Sequence, residues 1–358
     1  MSEFTMKYEQ KNMPFRRLGS SGLRVPVFSI GGWLTIGGTV NGDPVKDIIK
    51  TAFENGINMF DEAEGYASGN SEKELGRVIK ELGLHRTDII VTTKLFWGPG
   101  QGPNDTGLSR KHIIEGARGS LKRLQMDYVD VIFAHRPDHT TPMVETVRAF
   151  DWLINQGLAF YWATSEWSAR EIEEAHHVAD QYGLHAPVAE QCQHHLLSRE
   201  RAEGEYAPLY KRYNMGTTVF SALASGMLTG KYNNGIPEGS RYKTNKDDDN
   251  YKGKELYLKS PEGQREIQIV KDLTVIAETD LGCTVGQLAL AWVARNPNTS
   301  TVILGATSPA QVLDNLKAID VIPKLTPEIL EKIENIVQNK PKPPPTFGRP
   351  PLDPMGRQ

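Results

Sequence analysis

Two side chains able to move a proton lie close together in residues 59–72. Asp61 is reached by the short apolar entry Met59-Phe60, and Tyr66 sits in the glycine-rich stretch that follows. A phenol serves as a general acid once a neighbour draws its pKa down from about 10 towards the working pH, and an ammonium held by a carboxylate would do so. The ammonium is at hand, because the β-branched run 89–94 ends on Lys94. A third apolar run, 128–135, ends on His135 and continues into Arg136-Pro137. Three successive strand-like runs therefore present a reactive group at the C-terminal end, which is where chemistry sits in barrels of alternating strand and helix.

The elements that must position these groups alternate along the chain. Helical patterns near 47–55, 71–81, 109–124, 142–156 and 168–182 are separated by short runs rich in β-branched residues. The runs 27–30, 159–163, 187–191, 216–220 and 301–304 complete a set of eight with the three above. That alternation predicts βα units and a parallel sheet, and its length suits closure into eight strands better than an open doubly wound sheet. No GxGxxG follows a strand, so a Rossmann domain has no foothold. Residues 15–25 read as a β-hairpin turning on Ser21-Gly22. Ser71, followed by Glu74, predicts a helix N-cap box. Residues 1–14 form a polar leader, 15–339 one domain and 340–358 a proline-rich tail, which reads either as disorder or as a docking segment.

Composition is that of an ordinary soluble protein, with 41 basic and 44 acidic residues in 358 and 39% hydrophobic content. Nothing in it points to nucleic acid. No apolar run approaches the roughly 18 residues of a membrane helix, and the N-terminus lacks the apolar core of a signal peptide. The two cysteines, Cys192 and Cys283, make no disulfide framework and share no metal-ligand spacing, so the expected compartment is the cytoplasm. His194 and His195 are adjacent and point to opposite sides of an extended chain, so no metal is expected there.

Phe60-Asp61, Ala63 and Tyr66, with Thr92-Thr93-Lys94 and His135-Arg136-Pro137-Asp138, resemble the tetrad motifs of the aldo-keto reductases. Residues 107–116, 154–157 and 225–232 are similar to the branch that contains voltage-gated potassium channel β subunits, and the likeness runs from about Phe15 to Asn339. The resemblance implies a (β/α)8 TIM barrel with an N-terminal β-hairpin across its floor and extra C-terminal helices. It implies catalysis by Asp61, Tyr66, Lys94 and His135, in which Tyr66 protonates an aldehyde or ketone oxygen that His135 orients.

The same resemblance implies NADPH as cofactor. Gly32 and Trp33 would lie on the nicotinamide side, Ser165 and Gln191 on its carboxamide, and Phe220 against its ring. Ser221, Leu223, Ala224, Gly226 and Lys231 belong to a loop over the pyrophosphate, and the polar excursion 232–260 would bring Arg241 to a phosphate. Thr307 and Gln311 would address the 2′-phosphate, and Asp314 and Asn315 the adenine. Glu166 departs from the basic residue often found at that position in channel subunits. Trp33, Phe96, Trp97 and Trp167 read either as a substrate wall or as core.

Two functions are then open: an NADPH-dependent reductase, or a cofactor-loaded regulatory subunit that senses redox state for a channel. His135 favours the reductase, since the resemblance implies asparagine there in channel subunits. A homo-tetramer is compatible with both, and membrane insertion with neither.

Overall fold

The computed structural model describes residues 6–244, 252–342 and 347–349. Two short strands, β1 (Phe15–Arg17) and β2 (Arg24–Pro26), pair antiparallel as the expected hairpin. Eight parallel strands then close into a barrel: β3 (Phe28–Gly31), β4 (Met59–Asp61), β5 (Ile90–Leu95), β6 (Val129–Ala134), β7 (Ala159–Ser165), β8 (Ala189–Gln193), β9 (Gly216–Phe220) and β10 (Thr299–Leu304), with β10 completing the circle against β3. This is a (β/α)8 TIM barrel. Each expected strand and helix is present to within a few residues of its predicted ends.

Why this sequence closes in this way follows from the two-residue period of a strand. Read by twos on the inner face, β4 runs from Met59 to Asp61, β5 from Ile90 through Thr92 to Lys94, and β6 from Val131 through Phe133 to His135. The lower positions join Ala163 and Ala189 in one apolar cluster inside the barrel, and Leu18 and Val25 of the hairpin region close it from below. The upper positions are polar and converge on the opposite end. At Gly19, with φ +52°, a Cβ would stand 1.9 Å from the Val188 carbonyl oxygen, so only glycine lets the hairpin seat this closely.

The outer strand faces pack against amphipathic helices. Phe60, Val91, Ile132 and Trp162 join helix residues such as Ile49, Leu75, Leu121 and Phe150 in the large core cluster, where burial of apolar surface supplies most of the folding energy. Helix starts are fixed by side-chain caps: Ser109 accepts from the His112 N–H, and Ser168 with Glu171 and Thr284 with Gln287 form full capping boxes.

The expected box at Ser71 does not form. Helix Asn70–Glu81 begins one residue earlier, after Gly69 at φ +84°, and Ser71 is buried inside its first turn. Glu74 instead accepts from the Gly42 N–H at 2.9 Å, tying this helix to the start of helix Asp43–Glu54. Trp167 is fully buried in the core, whereas Trp33 (39% exposed) and Trp97 (44% exposed) stand at the upper end.

Candidate active site

Lys94 is fully buried at the top of β5. Its Nζ donates to Asp61 Oδ2 (2.5 Å), to the Glu62 carbonyl (2.7 Å) and to the Tyr66 hydroxyl oxygen (3.1 Å). Asp61 Oδ1 accepts from Thr92 Oγ1 at 2.6 Å and, more weakly, from Gln191 Nε2 at 3.3 Å. The carboxylate thus meets its charge in full, as a buried ion must if its desolvation is to be offset. An ammonium has donors only, so the Tyr66 oxygen accepts from it and the phenol keeps its own O–H free to point at a ligand.

Burial by itself would pull the Lys94 ammonium down, but Asp61 and the Tyr66 phenol outweigh it and hold the pKa above the usual lysine value. Tyr66 departs from the expectation of a lowered phenol. Burial raises it, Lys94 opposes, and burial wins, leaving the pKa above 10. At neutral pH the phenol is therefore protonated, and Lys94 limits the cost of the phenolate rather than creating it. Just beyond, Ala67 (φ 47°) and Ser68 (φ 53°) turn the chain through the left-handed region, a conformation that costs non-glycine residues of order 1–3 kcal/mol each.

His135 faces Tyr66 edge-on, with ring centres 5.8 Å apart, and Trp97 at 4.9 Å. Burial first, then Lys94 and Arg136, hold its pKa well below the usual histidine range, so the ring is neutral and carries a single N–H. Its Nδ1 is buried without a hydrogen-bond partner among the described residues. A neutral imidazole beside a protonated phenol can position and polarise an oxygen without surrendering a charge.

These groups open onto one cleft of about 1130 Å3, above the usual range for a small-ligand pocket and roomy enough for a dinucleotide with a substrate. Asp61, Tyr66, His135, Trp33, Ser165, Gln191, Phe220, Ser221, Leu223, Gly226, Lys231, Thr307, Gln311, Asp314 and Asn315 all line it. Lys94 stands behind the wall, and Ala224 within the loop. Gly31 rather than Gly32 faces the cleft; Gly32 packs on the side chains of Glu62 and Ser71. The side chain of Arg241 lies outside the described residues.

The floor of the cleft beside β9 is a backbone concavity, with Ser221, Ala224, Ser225 and Gly226 all at positive φ. The Lys231 ammonium rests close over Gly226 (φ +94°), where a Cβ would lie 2.6 Å from Nζ. Opposite, Ser308 caps helix Pro309–Leu316, and Gln311 Oε1 accepts from the Thr307 N–H at 2.8 Å. A curved backbone, a cation and a capped helix start suit the phosphates of a dinucleotide. The residues present thus fit a nicotinamide cofactor.

Metal ligation is not supported by the neighbouring histidines. His194 Nε2 pairs with Glu203 at 2.8 Å, while His195 Nε2 meets Gln193. Among the described residues no group of three His, Cys, Asp or Glu side chains is arranged to hold a metal.

Sequence reasoning missed a layer of acids outside the barrel wall. Glu62, Glu64, Glu72 and Glu190 are buried there. Glu64 binds His112 and the Phe96 N–H, and Glu72 binds Thr93 and Arg123. Glu62 is buried beside the Ser71 hydroxyl, and burial holds its pKa well above the usual carboxylate range. Alternation would have found it, since Asp61 facing inward puts Glu62 outward. Arg136 was also missed as a lining residue, although it directly follows His135.

The aldo/keto reductase family model matches residues 28–338. A protein of Schizosaccharomyces pombe (strain 972 / ATCC 24843) is 52% identical over 95% of this chain and 98% of its own length. One of Oryza sativa subsp. japonica is 50% identical over 92% and 98%, and one of Arabidopsis thaliana 48% over 94% and 100%. All three are named, provisionally, as voltage-gated potassium channel β subunits. Among the described residues no helix is long and apolar enough to cross a membrane.

Proposed function

Because the chain belongs to the aldo/keto reductase family, we propose that it is an NADPH-dependent reductase of aldehydes or ketones in which Tyr66 is the general acid. The observation that carries this reading is the Lys94 ammonium, which bridges Asp61 and the Tyr66 oxygen and leaves the phenol O–H for the cleft. NADPH, when bound, supplies hydride to the carbonyl carbon. Tyr66 supplies the proton to the oxygen, so the product is the alcohol. His135 donates its one N–H to the same oxygen and fixes its direction. As the phenol gives up its proton, Lys94 faces the new phenolate at hydrogen-bond distance, and Asp61 holds Lys94 in place.

Ser165 and Gln191, Phe220, and the loops 221–231 and 305–315 are assigned to the cofactor, with Lys231 and Arg241 favouring NADPH over NADH through its extra phosphate. The proposal places the protein in the cytoplasm and is compatible with a homo-tetramer. A screen of NADPH oxidation against aldehydes and ketones, run in reverse on alcohols, tests it. Steady-state turnover of at least one carbonyl compound is expected, and none across the panel would refute the reading.

The names of the relatives favour a second reading, a cofactor-loaded regulatory subunit of a channel. Tight NADPH binding without turnover, together with copurification of a membrane protein, would establish it instead.

A further inference from the structure

Arg136 lines the cleft beside His135, Tyr66 and Trp97, and beyond helping to keep His135 neutral its charge has no part in the proposed proton transfer. The guanidinium lies over the Trp97 indole, 5.1 Å from the ring centre. Its Nη1 donates to the His135 carbonyl and, at 3.3 Å, to Ser165 Oγ. Among the described residues no carboxylate pairs with it. By contrast Arg86 and Arg123 each hold one, on Asp130 and Glu72, and Arg199 holds two, on Glu203 and Glu334.

Asp138, two residues on, and Glu166, next to the Ser165 that Arg136 touches, are already committed. Asp138 accepts from the N–H groups of Leu108 and Thr140 and from the hydroxyls of Thr140 and Thr141. Glu166 accepts from the Gln193 N–H and faces Arg201 at 3.7 Å. Arg136 therefore brings a half-buried positive charge, with several of its five N–H donors unused by the described residues, to the place where a substrate must sit. A guanidinium matches a carboxylate through two parallel hydrogen bonds. The adjoining indole face would cover the apolar stem between that carboxylate and the carbonyl at Tyr66.

We propose that Arg136 is a specificity-determining residue that selects carbonyl substrates carrying a carboxylate. This rests on the reductase reading above. Lys231 stands on the far loop, so the two cations serve different ligands: Lys231 the cofactor phosphates, Arg136 the substrate.

The test compares 4-carboxybenzaldehyde with the uncharged, similarly shaped 4-nitrobenzaldehyde at saturating NADPH. The parent is expected to favour the carboxylate in kcat/KM. In Arg136→Gln the ratio of the two kcat/KM values should fall about 10- to 100-fold, mainly through KM, as expected for loss of a hydrogen bond to a charged group, and Arg136→Lys should recover part of it. A ratio that stays put while both substrates suffer equally would make Arg136 a structural support for His135 and overturn the proposal. Calorimetric titration of the NADPH-loaded protein with terephthalate, which cannot be reduced, decides the same point without turnover: it should bind the parent and bind Arg136→Gln at least tenfold more weakly. Equal binding to both proteins would refute the role of Arg136, whereas differential binding with no turnover of either aldehyde would refute the reductase reading alone.

Discussion

The two sides of the cleft are built on different principles. At the tops of β4, β5 and β6 the working parts are side chains: a fully buried ammonium, a carboxylate with both oxygens satisfied and a phenol, joined by hydrogen bonds, with a neutral imidazole set edge-on to the phenol. After β9 and β10 the working parts are largely backbone, a run of positive-φ residues and a capped helix start, with Lys231 at the rim. The first arrangement suits chemistry, because a buried charge keeps its strength and its position. The second suits the grip of a charged ligand that must come and go. Changes on the proton side should therefore strike turnover and stability, and changes on the loop side should strike affinity.

The largest expected effect is at Lys94→Met. It leaves the Asp61 carboxylate buried without its counter-charge, and breaking such a pair costs about 3–5 kcal/mol. Chemical denaturation should show that loss, and residual folded protein should be without measurable turnover. Stability equal to the parent's would mean that Asp61 is not held as an ion by Lys94. On the opposite side, Lys231→Ala removes one charged contact, worth about 1.5–3 kcal/mol. Fluorescence titration should find NADPH bound at least tenfold more weakly, with unchanged thermal unfolding. A collapse of folding there would erase the contrast between the two sides.

The smallest expected effect is on pH dependence. His135 is neutral because its pKa lies well below 6.5, and Tyr66 stays protonated because its pKa lies above 10. Neither changes state between pH 6 and 8, so kcat should be flat across that window. The acid form of Tyr66 is present below its pKa and is lost as pH rises through it, so kcat should fall only on the alkaline side, above about 10. A descending limb near neutrality would assign the proton to another group.

How much of this could be read beforehand differs between the same two regions. The strand runs and their terminal residues were legible, since a two-residue period with an apolar lower position and a polar upper one is written directly in Met59-Phe60-Asp61 and in 90–94. The loop residues were reached by resemblance, because positive φ at Ser221, Ala224 and Ser225 has no signature in residue type. Local rules failed where tertiary contacts overruled them. Ser71 looked like a cap but is buried beside Glu62, and Trp167, open between wall and core in the sequence, lies in the core. The direction of the Tyr66 shift was missed because it is a contest between burial and Lys94, and depth of burial cannot be counted along a chain.

The most direct test of the account is Tyr66→Phe, assayed for NADPH binding by calorimetry and for single-turnover oxidation of NADPH with the best carbonyl substrate. The ring and its packing remain, and only the proton donor is removed. NADPH affinity should stay close to the parent's while the rate falls by about 10²- to 10⁴-fold, the usual worth of a positioned general acid. A folded Tyr66→Phe protein that oxidises NADPH at the parental rate would contradict the assignment of the acid, and with it the central claim that the side chains at the tops of β4, β5 and β6 carry the chemistry.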